Sequence, residues 1–198
     1  MFSGRLNRTG GNNSMKKFEE KTISTQPIFS GKVISLRVED VELPDGGQSK
    51  RELIKHPGAV AIIAITPDNK IVMVEQYRKA LEQSIIEIPA GKLEPGEEPD
   101  VTAARELEEE TGYISGKMEH IISFYSSPGF ADEIVHVYVA TELQKKEDAA
   151  ACDEDEFVEV MEITLEEAEQ YIKERRIYDA KTAYAVQYLQ LQALLKKQ

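Results

Sequence analysis

The chain has almost no cysteine, too little positive charge to balance its acids, and no long apolar run. A single cysteine, Cys152, in 198 residues excludes an internal disulfide and a cysteine-based zinc site, and it suits a reducing cytosol. Its neighbours Asp153 and Glu154 would raise a thiol pKa, so a catalytic thiolate is not expected there. Lys and Arg number 24 against 36 Asp and Glu, and the net charge of −12 argues against nonspecific nucleic-acid binding and against an anionic membrane surface. Nothing approaches the ~20 apolar residues that span a bilayer, and residues 1–14, MFSGRLNRTGGNNS, lack the apolar core of a secretion signal. The expectation is a soluble, cytoplasmic protein with neither nucleic acid nor membrane as partner. The same acidity repels phosphates, so a phosphate substrate would need local Arg and Lys or a divalent metal.

What is present reads as globular: 30% charged and 41% apolar residues, in a length that fits one domain with a small N-terminal appendage. Residues 1–14 read as disordered or as an expression leader ahead of a start at Met15. Residues 15–57 read as an N-terminal antiparallel strand region, one strand running from Val33 to Leu43, a Pro44-Asp45-Gly46-Gly47 turn, and a return from Ser49 to His56. In residues 58–198, the apolar runs Ala59–Thr66 and Ile71–Tyr77 predict buried central strands. Shorter strands are predicted over Ile85–Ile88, Ile121–Tyr125, Glu133–Ala140 and Phe157–Ile163, and the polar stretch Leu143–Glu156 predicts a mobile loop. Thr164 and Glu167 form a capping box for a helix over Leu165–Arg175. A last helix, from about Ala180 to Lys197, would turn Ala183, Val186, Leu189, Ala193 and Leu194 to the core. Strands with helices between and after them make the fold class α/β (α+β), a mixed sheet between helices.

The densest chemistry lies in residues 91–113, GKLEPGEEPDVTAARELEEETGY. Pro99 suits a first helical turn, Asp100 the positive N-terminal end and Gly112 a C-terminal stop, which predicts a helix over about 98–111. At about 100° per residue, Ala104, Leu107 and Thr111 share one face, while Glu106, Glu109 and Glu110 cluster on another. Exposed carboxylates at such spacings repel by only a few tenths of a kcal/mol, so a solvated acidic face is the plain alternative to a cation site. If a cation binds, a run of Glu without His or Cys suits a hard ion such as Mg²⁺ (or Mn²⁺), held chiefly by Glu106 and Glu110 with Glu109 and Glu97 assisting. Arg105 is expected to orient these carboxylates through a bidentate pair with Glu109 or Glu97.

The spacing Gly91-x5-Glu97-x7-Arg105-Glu106-Leu107-x-Glu109-Glu110-Thr111-Gly112 resembles the box of the Nudix hydrolases throughout its polar positions, with Tyr113 standing where an aliphatic residue is usual. The resemblance implies a Nudix fold and adds the backbone carbonyl of Ala90 to the metal ligands. Further tracts resemble the bacterial ADP-ribose diphosphatases of that family: Leu43-Pro44-Asp45-Gly46, Arg51-Glu52 ahead of His56-Pro57-Gly58, Glu75-Gln76-Tyr77-Arg78, Glu87-Ile88-Pro89-Ala90-Gly91, and Ser126–Glu133 with Pro128. This likeness runs from about Lys16 to Lys197. It implies metal-dependent cleavage of ADP-ribose to AMP and ribose 5-phosphate by a homodimer that exchanges N-terminal strands. It also implies substrate contacts from Arg51, Glu52, Arg78, Lys92, Ser127 and Pro128, with Phe29 or a tyrosine stacking on adenine. By the same likeness Glu154 is the general base and Glu156 a metal ligand two residues on, although Asp153 and Asp155 offer the same spacing. The alternatives are another nucleoside diphosphate, such as a nucleotide sugar or a dinucleotide, or a non-catalytic ADP-ribose-binding module. The latter would want a damaged box or an attached DNA-binding domain, and the chain shows neither.

Overall fold

The computed structural model describes residues 16–146 and 157–196. The chain divides between His56 and Pro57 into two compact units, the first also taking residues 129–131. The first unit is a three-stranded antiparallel sheet in the order β1-β2-β3, made of β1 (Lys21–Ser30), β2 (Ser35–Glu42) and β3 (Gln48–Lys55). Ile54 of β3 also bridges Ala131, and its N–H donates to the Phe130 carbonyl at 2.7 Å.

The second unit is a seven-stranded mixed sheet whose main path runs β10-β5-β4-β9-β8. Its strands are β4 (Ala59–Ile65), β5 (Ile71–Arg78), β6 (Gln83–Glu87), β7 (Ala90–Lys92), β8 (Tyr113–Tyr125), β9 (Ile134–Lys145) and β10 (Val158–Ile163). Short β6 pairs with β5 and short β7 with β4, while β4 and β9 run parallel. Three helices cover it: α1 (Pro99–Thr111), α2 (Leu165–Lys173) and α3 (Ala180–Leu195). Side chains alternate across a strand, so β4 feeds both faces. Val60, Ile62 and Ala64 pack with Ala103 and Leu107 of α1, whereas Ala61 and Ile63 pack with Ala168 of α2 and Ala185 and Val186 of α3. The result is the expected α+β sandwich, with β4 wholly buried along its middle.

Five expectations need correction. β1 lies ahead of the first predicted strand, and nothing in KTISTQPIFS alternates, because all ten residues are exposed and no buried face imposes a period. Pro27 is tolerated there since β1 is an edge strand with a register shift beside it. β8 begins at Tyr113, not Ile121, and β9 continues through Leu143 to Lys145, so the start of the predicted loop is strand; residues 147–156 of it lie outside the described residues. On α1 the buried positions are Thr102, Ala103, Leu107, Glu110 and Thr111, while Ala104 is exposed. On α3 the buried set is Thr182, Ala185 and Val186, and Leu194 is exposed.

Candidate active site

The site grows out of the way β4 holds the peptide leading into α1. The Ile62 N–H donates to the Pro89 carbonyl at 2.8 Å, β7 then pairs with β4 through Ala90 and Gly91, and the Leu93 N–H donates to the Gly58 carbonyl at 3.1 Å. From this anchored strand the chain turns into α1, whose N-cap Glu98 is extended and whose first turn carries Pro99. Gly112 ends the helix in the left-handed region at φ 71°, its N–H donating to the Glu108 carbonyl at 2.8 Å.

Docking α1 this way turns two carboxylates one helical turn apart toward β7. Glu110, 5% exposed, accepts the Ala90 N–H at 2.9 Å, and Glu106 lies against Gly91. Arg105 distributes itself over the remaining acids. Its Nε and Nη2 donate to the two oxygens of Glu97 at 3.3 and 3.2 Å, and its Nη1 donates to Glu109 at 2.7 Å and lies 3.0 Å from Glu106. Both Glu97 and Glu109, offered above as alternatives, are therefore partners. The hydrogen bonds from Arg105 and then Thr102 hold the Glu97 carboxyl below its ordinary range, and Arg105 is held charged, first by Glu97 and, against burial, by Glu109 and Glu106. One guanidinium thus holds three glutamates in place.

Beside this cluster stands a charge network absent from the predictions. Arg78, at the end of β5, donates from Nε to Glu87 at 2.5 Å, and Lys181 of α3 donates to the other Glu87 oxygen. Lys181 also donates to Asp179 at 3.0 Å, and Asp179 caps α3 by accepting the Thr182 N–H at 3.2 Å. Burial lowers the Arg78 pKa, but Glu87, with smaller contributions from Glu110 and Asp179, more than offsets this and leaves it raised. The one available sequence signal was an acid inside the apolar run Ile85-Ile86-Glu87-Ile88, where a buried charge must find cations.

The other predicted residues lie as follows. Arg51, on β3 of the first unit, forks onto Glu20 at 2.8 and 2.5 Å, and Glu52 beside it is exposed. Lys92 is exposed at the end of β7; Ser127 is half-buried and Pro128 exposed in the turn after β8. Glu154 and Glu156, with Asp153 and Asp155, lie outside the described residues. A cleft of about 530 Å³ lined by Glu75, Tyr77, Phe157 and Glu159 among others touches none of the α1 carboxylates.

The NUDIX domain profile matches residues 55–183, and a nucleoside diphosphate sugar hydrolase N-terminal domain profile matches residues 20–54. The chain belongs to the Nudix family. It is 64% identical over 184 residues to the ADP-ribose pyrophosphatase of Bacillus subtilis (strain 168), covering 93% of this chain and 100% of that one. It is 71% identical over 181 residues to the methanol dehydrogenase activator of Bacillus methanolicus, covering 91% and 98%. Among solved structures, that of an ADP compounds hydrolase superposes with a TM-score of 0.77 at 18% identity, over 90% of this chain and 95% of the other, a likeness of fold.

Divalent-metal dependence is typical of Nudix hydrolases. The donors here fit such an ion: the carboxylates of Glu106 and Glu110 and the main chain of Ala90 are all hard oxygens, brought together because Gly91 has no Cβ to displace Glu106. Among the described residues no three His, Cys, Asp or Glu side chains form a complete metal set. No helix among them is long and apolar enough to cross a membrane.

Proposed function

We propose that the chain hydrolyses the diphosphate bond of ADP-ribose to AMP and ribose 5-phosphate. The observation that carries this reading is the 64% identity to the Bacillus subtilis ADP-ribose pyrophosphatase across all of that protein's length, on a chain whose box glutamates are assembled against β7. Arg78 takes the diphosphate oxygens. Glu106 and Glu110, the Ala90 carbonyl and Glu156 would hold Mg²⁺ (or Mn²⁺), which when bound would neutralise phosphate oxygens and acidify water. Arg105 keeps Glu97 and Glu109 oriented toward that set. Glu154 takes the proton as the water oxygen bonds to phosphorus and the bridging P–O bond breaks, the leaving phosphate carrying away the electron pair. Lys92, Ser127 and Pro128 border the substrate.

The acting form is a homodimer. Ile23, Ile28 and Phe29 of β1 are each at least half exposed, an apolar surface that a second copy would cover, bringing that copy's Arg51 and Glu52 to the substrate and Phe29 to the base. A cytoplasmic setting fits the single cysteine. Steady-state assay of a panel of ADP-ribose, nucleotide sugars and dinucleotides, with products identified by chromatography, tests the reading: ADP-ribose should give the highest kcat/KM, and a nucleotide sugar or dinucleotide preferred over it would overturn the substrate. Light scattering should give twice the 22.3 kDa chain mass.

The 71% identity to the Bacillus methanolicus activator favours a second reading, in which the chain stimulates a dehydrogenase. Addition to purified methanol dehydrogenase, beside a Glu110→Gln variant, tests it. Stimulation by the wild type alone would tie the effect to hydrolysis, and no stimulation would remove the second reading.

A further inference from the structure

The network behind Arg78 does more than neutralise a buried acid. The Glu87 side chain is only 4% exposed and ends a strand whose neighbours Ile85, Ile86 and Ile88 are core residues. A carboxylate in such a place needs a donor on each oxygen, and here the donors come from different elements: Arg78 from β5 and Lys181 from the first turn of α3. The same helix end is tied to the sheet a second time, because the Thr182 hydroxyl accepts the Ile88 N–H at 3.1 Å. Lys181 is itself fixed by Asp179, the helix cap. Every member but Arg78 is thus restrained by at least two partners or by its place in a helix.

Among the described residues Arg78 is bound through Nε alone. Its Nη1 and Nη2 have no hydrogen-bond partner among the described residues, although the side chain is only 38% exposed. A guanidinium is planar, so fixing Nε within the plane also fixes the direction of the two terminal nitrogens. Arg78 feels the charge of Glu110, so its open edge belongs to the electrostatic field of the α1 carboxylates. If Glu87 were present only to satisfy Lys181, nothing would require an Arg with two unused donors beside it.

We infer that Glu87, braced by Lys181, is a positioning residue that holds the Arg78 guanidinium as a preset fork for the diphosphate of a nucleoside diphosphate. The inference rests on the reading of Arg78 as the diphosphate clamp. Pre-orienting a flexible arginine removes the ordering cost that would otherwise be met on binding, so its loss appears chiefly in KM. Lys181 acts one step further back, by fixing which way the Glu87 carboxylate faces.

The experiment is a cycle of Glu87→Gln and Arg78→Ala, singly and together, with ADP-ribose as substrate, plus ¹⁵N NMR of the arginine Nε–H groups in the full chain without substrate. Glu87→Gln should raise KM about tenfold while changing kcat less than about threefold, and should add less than about twofold to KM once Arg78 is alanine. The Arg78 Nε–H signal, assigned by its loss in Arg78→Ala, should be protected from solvent exchange in the wild type and lose that protection in Glu87→Gln. Equal protection in both proteins, or KM effects that multiply in the double variant, would overturn the inference. If Glu87→Gln does not fold, Lys181→Met carries the same cycle, with an expected KM rise of about threefold; an unchanged KM and unchanged Nε–H protection there would overturn the inference. A wild type that fails to hydrolyse ADP-ribose would defeat the functional reading, and the Nε–H result would still decide the positioning role.

Discussion

The carboxylate of Glu106 lies so close over Gly91 that a Cβ added to Gly91 would stand 1.8 Å from its Cδ. No pair of non-bonded atoms tolerates that approach, and β7 cannot retreat because it is paired to buried β4. Gly91→Ala should therefore expel Glu106, lowering kcat by about a hundredfold or more and stability by about 1–3 kcal/mol. Urea unfolding and steady-state assay of the variant check both; normal turnover would show that Glu106 is not needed where it stands.

Glu110 differs from its neighbours in being buried and hydrogen-bonded to the Ala90 N–H. Glutamine keeps an acceptor for that N–H but not the charge, so Glu110→Gln should lose most turnover while stability changes by no more than about 1 kcal/mol. Activity like the wild type's would refute Glu110 as a metal ligand.

Arg105 touches Glu97, Glu106 and Glu109 at once. Lysine keeps the charge but cannot form the fork, so Arg105→Lys should lower kcat about tenfold, and Arg105→Ala further. The Glu97 carboxyl is lowered from 4.5 by the Arg105 hydrogen bond, so the stability from this pair is present above that pH and lost as pH falls through the lowered value. Acid unfolding should begin at higher pH in Arg105→Ala than in the wild type, and coincident curves would contradict the pairing.

Tyr113, the departure from the family pattern, is 8% exposed and donates its hydroxyl to Glu162 of β10 at 2.6 Å. That bond, with burial, pushes its pKa from 10.0 up to about 12. A raised phenol pKa gives stability that is full below pH 10 and lost as pH rises toward 12. Tyr113→Phe should cost about 1 kcal/mol at pH 8, with the difference shrinking at higher pH in denaturant titrations. A pH-independent difference would contradict this.

Glu154→Gln should lower kcat far more than it weakens ADP-ribose affinity, because a general base acts in the transition state. Stopped-assay kinetics and equilibrium binding separate the two effects. If Asp153 or Glu156 variants alone behave this way, the base is one of those.

Much of the site was readable because local rules govern it. Pro99, Asp100 and Gly112 bounded α1 to within a residue of Pro99–Thr111, and the unbroken apolar runs of β4 and β5 announced buried strands. β1 was not readable, since an exposed edge strand with Pro27 carries no burial period. The rotation of α1 was missed by about one position: Ala103 faces the sheet in place of Ala104, and Glu110 goes with it. Glu87 gave a hint by its setting but no partner, because Arg78 is nine residues away and Lys181 ninety-four.

The amino-acid sequence by itself determined the donor chemistry, the limits of the helix that carries it and the family, since these follow from residue type, backbone preference and spacing along a few turns. Only the tertiary structure decided which glutamate is buried, how one arginine serves three acids, and what holds Arg78 from behind. Those depend on how α1 and α3 dock on the sheet, and docking is settled by burial and by ion pairs between residues that no local rule connects.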